Sequence, residues 1–305
     1  MDIIILLLIT LLIYLLPQNK DYLNAKSTSG LRGFLAIGII FHHLSQWVTS
    51  GDEFSNFSYM GTYIVSIFFF LSAYGLYFQN ENKKNYLDNF LVKRLSKILV
   101  PFFSISLIYM LYRFVNGQLM DLDFFANLFK KGSTIIYNGW FVDIIILMYI
   151  FFYISFKFLK NKFISIVINT VFIIGYICLA IKLGYGFWWY NSVFPFIIGL
   201  IWAKNKEKID GVLDNIIFTI YFIIVFLKKI NFSNMYLILL GSISFELYMI
   251  HGLVISILEK IFVSSRVNDV LFTFFVLMIS LILAWIINKL VNRFIQKVSL
   301  LQNQE

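Results

Sequence analysis

The chain has 305 residues, of which 60% are hydrophobic, 19% aromatic and only 13% charged, with a mean hydropathy of +0.82 and a formal net charge of +9. That composition belongs to a membrane protein and excludes a soluble or disordered one. The basic residues are distributed loop by loop rather than gathered in one domain, so the charge reports topology and gives no support to a nucleic-acid partner.

Only three prolines and sixteen glycines interrupt the chain, so its apolar runs can be helical, and helices satisfy their own backbone groups in lipid. Nine or ten runs are predicted to cross a hydrocarbon core of about 30 Å. They cover roughly 3–16, 30–47, 60–78, 98–115, 140–156, 163–181, 187–203, 212–227, 235–257 and 270–288. The expected fold is an all-α integral membrane protein, a polytopic bundle of about 10 transmembrane helices. Residues 1–27 form an anchor helix and a short cytoplasmic loop, 28–290 one membrane domain, and 291–305 a polar tail. The first run has no basic residue before it and no small-x-small site close behind it, so it reads as a retained anchor rather than a signal peptide.

Alternating the runs across the membrane, with the loop after the first one inside, gathers sixteen of the 25 basic residues on the cytoplasmic side. These include Lys260 and Arg266. The same alternation leaves Lys289, Arg293 and Lys297 outside, against the trend. Cys178 is the only cysteine and lies in an apolar run, where it is expected to be a small core residue, so neither a disulfide nor a thiolate metal site is available.

The second run carries Arg32, His42 and His43. Arg32 and His43 are eleven residues apart, three helical turns plus about 20°, and so share one face about 16 Å apart along the axis. His42 points elsewhere. A charge at mid-membrane costs about 2.5–3.5 kcal/mol on insertion scales, and such groups face a protein interior or a wet cavity. Histidine suits proton removal from an alcohol near neutral pH, and arginine offers a permanent charge and a fork of donors for phosphate. One face therefore presents a phosphate anchor at the cytoplasmic mouth and a base about halfway across, which fits a long phosphorylated donor threaded into the membrane.

Further along, Lys93, Arg94 and Lys97 occupy neighbouring helical positions ahead of Pro101. They suit lipid phosphates or a polyanionic cytoplasmic substrate equally well. Arg113, at the end of the 98–115 run, and Asp121 and Asp123 in the external excursion 116–139 are expected to be solvated or to touch an acceptor. Trp140 opens the next run, with Asp143 near its external end as an end cap or a catalytic group. Trp188, Trp189 and Tyr190 mark another external boundary as an aromatic belt or a sugar platform. Late in the chain Ser244, Tyr248 and His251 form one helical stripe that ties helices together, lines an acceptor channel or orients His43. Glu246 points away from His251 and needs a buried basic partner or a wet cavity. No Gly-rich phosphate loop and no His-Glu-x-x-His occurs, and the three histidines and one cysteine are too dispersed for a metal centre.

Several of these stretches share a pattern. "LRGFLAIGIIFHH" resembles the signature of the membrane acyltransferase-3 family, an arginine, ten intervening residues and a histidine, which assigns the family histidine to His43. "FFFLSAYGLYF" resembles its aromatic-serine-small-aromatic run, giving Phe69, Ser72 and Tyr74, with Ala73 where glycine is usual. "KRLSKILVP" resembles its basic loop, with Lys97 in place of a second arginine. "GWFVDIIILMY", "FPFIIGLIWAKNK" and "SISFELYMIHGLV" resemble three later segments in the family's order, so that the likeness runs from about 28 to 290.

The resemblance implies that 28–290 is a membrane acyltransferase domain moving an acyl group, usually acetyl from acetyl-CoA, to a hydroxyl of a surface or lipid-linked carbohydrate. It casts His43 as the catalytic base and Arg32 as a catalytic and donor-binding residue, joined in donor binding by Lys93, Arg94 and Lys97. His42, Ser72, Tyr74, Trp140, Asp143, Ser244, Glu246, Tyr248 and His251 are expected to bind substrate or support the site. No metal is implied. The implied partners are membrane lipid, a carbohydrate acceptor and polysaccharide biosynthesis proteins of the cell envelope, with a multi-pass location in the cell membrane. A polysaccharide exporter without acyl transfer is the rival reading, and a lipid-binding sensor a third.

Overall fold

The computed structural model describes residues 21–48, 54–118, 120–130, 134–213, 230–262 and 266–302. Among them all regular structure is helical. The helices are α1 (Ala25–Leu44), α2 (Met60–Asn82), α3 (Phe90–Val115), α4 (Leu122–Lys130), α5 (Trp140–Phe158), α6 (Lys162–Lys182), α7 (Pro195–Lys204), α8 (Lys206–Leu213), α9 (Met235–Ser242), α10 (Ser244–Leu258) and α11 (Arg266–Gln302). Short 3-10 turns cover Ser55–Phe57 and Phe187–Trp189. Asparagine starts three of the helices: Asn24, Asn161 and Asn234 each accept from free backbone N–H groups of the first turn. Pro195 opens α7, where its missing N–H costs nothing.

Five helices are long and apolar enough to cross a membrane: α2, α3, α5, α6 and residues Asp269–Lys297 of α11. The pair α9 and α10, bent by 69° at Ile243, makes a sixth if taken as one broken span. The expected count of about ten is not reached among the described residues. Residues 3–16 and almost all of 212–227 lie outside them. Helix α1 has the length of a span, but Ser27, Thr28, Ser29, Arg32, His42 and His43 dilute its apolar character, and α7 has only 10 residues. Residues 291–302 continue α11.

Helix α1 runs through the interior, packed on α2, α9 and α10. Its approach to α9 is at backbone distance. A Cβ added to Gly30 would lie 1.7 Å from the Phe232 carbonyl oxygen, one on Gly33 2.3 Å from that of Leu237, and one on Gly241 1.9 Å from that of Ser29. The Ser27 and Ser233 hydroxyls, 3.0 Å apart, close the same seam.

These contacts fix which groups share an end of the bundle. Tyr22 donates to Asp210 (2.7 Å), so residues 210 and 233 both lie at the amino-terminal end of α1. Helix α10 then climbs to the opposite end, where Lys260 donates to Asn116 (2.6 Å) and sits 5.1 Å from the Tyr112 ring centre. Helix α11 returns, and Asn288 donates to the Ser242 carbonyl (3.1 Å) and to Glu246 (3.0 Å). Lys289, Arg293 and Lys297 therefore lie at the basic end with Arg32 and Lys97, and Lys260 lies opposite, which reverses the alternation read from the sequence. The alternation assumed that every apolar run changes side, whereas the described residues Asp210 and Ser233 lie at the same end of α1. The corrected arrangement concentrates basic charge at one end more strongly than the sequence reading did. Cys178 is exposed on α6 rather than buried in the core.

Two outcomes follow from this packing. Gly241→Ala drives a methyl group into the Ser29 carbonyl and costs at least the ~1–3 kcal/mol typical of an overpacked core, read as a lowered melting temperature in detergent. Gly75→Ala, with open space at its Cβ, leaves that temperature unchanged or slightly raised. In a Cys178→Ser background, an impermeant maleimide added to intact cells labels Lys260→Cys and leaves Lys297→Cys unlabelled; the opposite pattern would overturn the topology.

Candidate active site

Two cavities meet across Val65 and Tyr248, which line both. The inner one, of about 340 Å³, lies at the basic end. Arg32 and Lys97 supply its positive charge, and Ser72, Ser244, Glu246, Asn288 and Asn292 supply neutral and acidic hydrogen-bonding groups. Arg32 is anchored within its own helix, its Nε donating to the Thr28 carbonyl one turn back (3.2 Å). Glu246 is buried and accepts from Asn288, so its partner is an amide facing the cavity rather than a basic group.

Of the three bases near Pro101, only Lys97 lines this cavity. Arg94 donates through Nε to the Tyr86 hydroxyl (3.0 Å) and lies 5.6 Å from that ring's centre. Burial raises the Tyr86 pKa against the pull of Arg94, so the phenol stays protonated and serves as the acceptor. Lys93 is exposed and lines none of the cavities.

The outer cavity, of about 420 Å³, is lined by His42 and His43 together with Tyr59, Trp140 and Trp188. Both histidines therefore reach it, which corrects the expectation that His42 points elsewhere. Neighbouring helical positions differ by about 100°, but the cavity wraps around the end of α1, and the two rings lie 4.9 Å apart at 55°. The His42 Nδ1 bonds the Phe57 carbonyl at 2.9 Å. Gly61 makes room for that imidazole, since a Cβ there would sit 2.5 Å from Nε2.

His43 is 7% exposed and lies flat against His251, their ring centres 5.0 Å apart at 27°. His251 is fully buried; its Nδ1 donates to the Leu247 carbonyl (3.0 Å), and its Nε2 has no hydrogen-bond partner. The proton on Nδ1 is thereby fixed, leaving Nε2 as a bare lone pair beside the His43 ring.

The residue that holds His43 was not found in the sequence. Asn138, in the turn before α5, places its side-chain amide nitrogen 3.2 Å from His43 Nδ1. Its backbone carbonyl accepts the Tyr248 hydroxyl. Its φ of 59° is left-handed, a conformation that asparagine tolerates better than most residues. With the amide nitrogen donating, the His43 proton is on Nε2. A half-turn of the amide presents its oxygen instead, moves the ring proton to Nδ1 and leaves Nε2 free to accept. The Asn138-Gly139 pair was a legible turn signal, though nothing in it pointed to His43.

Other expected residues fall elsewhere. Tyr74 is buried between Phe70 and Phe78 and lines none of the cavities. Asp143, exposed on α5, also lines none of them. Arg113 lies 5.4 and 5.2 Å from the ring centres of Phe124 and Tyr137 and donates to Gln118, pinning the outer excursion. Among the described residues no three His, Cys, Asp or Glu side chains gather to hold a metal ion.

A cationic cavity, a buried imidazole and an aromatic cavity thus follow one another through the bundle. The acyltransferase domain of the acyltransferase-3 family matches residues 26–228. The chain belongs to that family. The match stops short of α9–α11, so Glu246, Tyr248, His251 and Asn288 lie outside the matched residues, although the helices carrying them complete both cavities. No curated protein and no solved structure matches the chain.

Asn138→Gly keeps the left-handed backbone and the carbonyl that Tyr248 uses while removing the amide from His43. Acyl transfer in this variant falls at least about tenfold with a near-native melting temperature, because a lost hydrogen bond beside a buried group costs about 1–3 kcal/mol. Asn138→Ala adds about 1–2 kcal/mol of left-handed strain and melts lower. Unaltered turnover in Asn138→Gly would show that the amide does not orient the base.

Proposed function

We propose that the protein is a multi-pass O-acyltransferase of the cell membrane that moves acetyl from acetyl-CoA to a hydroxyl of a cell-surface or exopolysaccharide sugar or of its lipid-linked precursor. Family membership supports acyl transfer. The observation that carries the finer reading is the position of His43, lining the outer cavity where it meets, across Val65 and Tyr248, the inner one holding Arg32 and Lys97. The concentration of basic residues at the inner end favours a cytoplasmic face there, where a CoA thioester is at hand. In this reading α1 also crosses, shielded by its neighbours as a polar helix must be, and the short apolar α7 with the residues before it carries the chain back.

The inner cavity suits CoA chemically. Arg32 and Lys97 match the phosphates, and the amides of Asn288 and Asn292 with the Glu246 carboxylate match the pantetheine amides. The thioester then lies toward Tyr248 and the acceptor hydroxyl enters from the Trp140 side. His43, with its proton on Nδ1 held by the Asn138 amide oxygen, takes the hydroxyl proton on Nε2. The alkoxide oxygen forms a bond to the acyl carbonyl carbon, the carbon–sulfur bond breaks, and CoA leaves as thiolate. The proton on Nε2 goes to that thiolate, so the histidine returns neutral and the products are the ester and free CoA. A neutral His251 against the ring lets His43 carry that charge without a second cation beside it.

His43→Ala removes the base and lowers thiol release from acetyl-CoA about 10²–10⁴-fold, the range of general base catalysis, while the protein stays in the membrane. Arg32→Ala raises the KM for acetyl-CoA about tenfold or more, in line with the ~1.5–3 kcal/mol of a hydrogen bond to a charged group. A His43→Ala variant that still fully acetylates the surface polymer would sink the assignment. Absence of thiol release from wild-type protein supplied with acceptor would favour an exporter.

A further inference from the structure

Two cavities flank the outer side of His43. Besides the aromatic one of about 420 Å³, another of about 400 Å³ opens between the outer ends of α3 and α10. His43, Gln46 and Asn138 line both, so the imidazole stands at their junction with open space on either side. Each cavity is near the lower end of the roughly 300–1,000 Å³ of ligand pockets, with room for a short piece of chain.

The two arms offer different chemistry. The first presents the faces of Tyr59, Trp140 and Trp188, which suit the apolar C–H faces of a pyranose ring. The second presents Gln118, Glu259 and Lys260, donors and acceptors for hydroxyl groups, and Lys260 is held in place by Asn116 and the Tyr112 ring. Between them Gln46 and Asn138 add amides beside the base. A single blind pocket would select a free sugar or a chain end, whereas an open junction lets an acceptor continue in both directions from the reacting unit.

We propose that the acceptor is an already assembled linear glycan, acylated on an interior sugar. One neighbouring unit stacks in the Trp140 and Trp188 arm, and the other is hydrogen-bonded in the Gln118, Glu259 and Lys260 arm. The inference rests on the acyl-transfer reading above and narrows its acceptor. It also places the acylation after the glycosyl transfers that build the chain.

The test uses the full-length protein in nanodiscs with acetyl-CoA. The acceptor probe is the surface glycan of producing cells, de-O-acetylated with mild base, cut, and separated into mono-, di-, tri- and pentasaccharides. Thiol release gives the rate, and fragment mass spectrometry locates the acetyl group. The expected result is a kcat/KM that rises at least about tenfold from mono- to trisaccharide, with acetyl on interior units. Equal rates for the two sizes, or acetyl confined to terminal units, would overturn the two-armed acceptor and leave acyl transfer standing. Failure of every size and of the uncut polymer to release thiol removes the acyl-transfer reading and this inference with it. Trp188→Ala and Lys260→Gln probe one arm each: both raise the KM for trisaccharide about fivefold or more, while the KM for acetyl-CoA, bound across Tyr248, holds. If either variant, folded by its melting temperature, leaves the trisaccharide KM unchanged, its arm does not hold sugar and the proposal fails.

Discussion

Helix α9 lies against α1 at backbone distance because glycine stands at positions 30, 33 and 241, and the site depends on that seam. Glycine inside a helix costs about 0.8–1.0 kcal/mol relative to alanine, roughly 3 kcal/mol for the three. The close approach offsets this through packing and the Ser27 to Ser233 contact, which count for more where lipid gives helices no hydrophobic reason to associate. With α9 seated on the first turns of α1, the break at Ile243 turns the chain by 69° and sends α10 along the rest of α1. That is how Glu246 arrives in the cavity with Arg32, and His251 against His43.

The polar groups that the membrane would penalise are each given a surrounding. Arg32 has the Thr28 carbonyl and a cavity, Glu246 has Asn288, His42 has Phe57, and His43 has Asn138. Nearly all these partners are neutral. A neutral amide or carbonyl satisfies a histidine without fixing its charge, whereas a carboxylate beside His43 would favour the imidazolium and leave less of the free base. The exception is the unpartnered Nε2 of His251. Leaving a buried acceptor unsatisfied costs about 1–3 kcal/mol, and the ring of His43 is stacked on that imidazole.

The sequence was informative where one helix carries its own meaning. The all-helical architecture and the apolar runs that became α2, α3, α5 and α6 depend only on helical period and composition, and they stand in the structure, although α3 begins at Phe90 rather than near 98. What failed depended on relations between helices. Alternation assumes that every apolar run changes side, whereas Asp210 and Ser233 lie at the same end of α1, so the sidedness of Lys260 and of Lys289 to Lys297 came out reversed. A helical wheel gives a residue's azimuth but not the shape of the cavity it meets, so His42 was turned away from a space it lines. Tyr74 shares a motif with Ser72, yet two positions on a helix differ by about 200°, and only Ser72 faces the inner cavity.

Asn138 was illegible for a different reason, and it joins the two halves of the site. Its importance lies in a left-handed backbone that aims the carbonyl at Tyr248 and the amide at His43, from a turn ninety-five residues downstream of that histidine. Tyr248 lines both the inner and the outer cavity, and one hydrogen bond ties it to the residue whose amide meets His43. Displacing Tyr248 to widen the passage breaks the bond to the Asn138 carbonyl and loosens the turn that holds the amide. The side chain between the two cavities and the orientation of His43 are therefore set by the same few atoms of one turn, so a change at Asn138 reaches both.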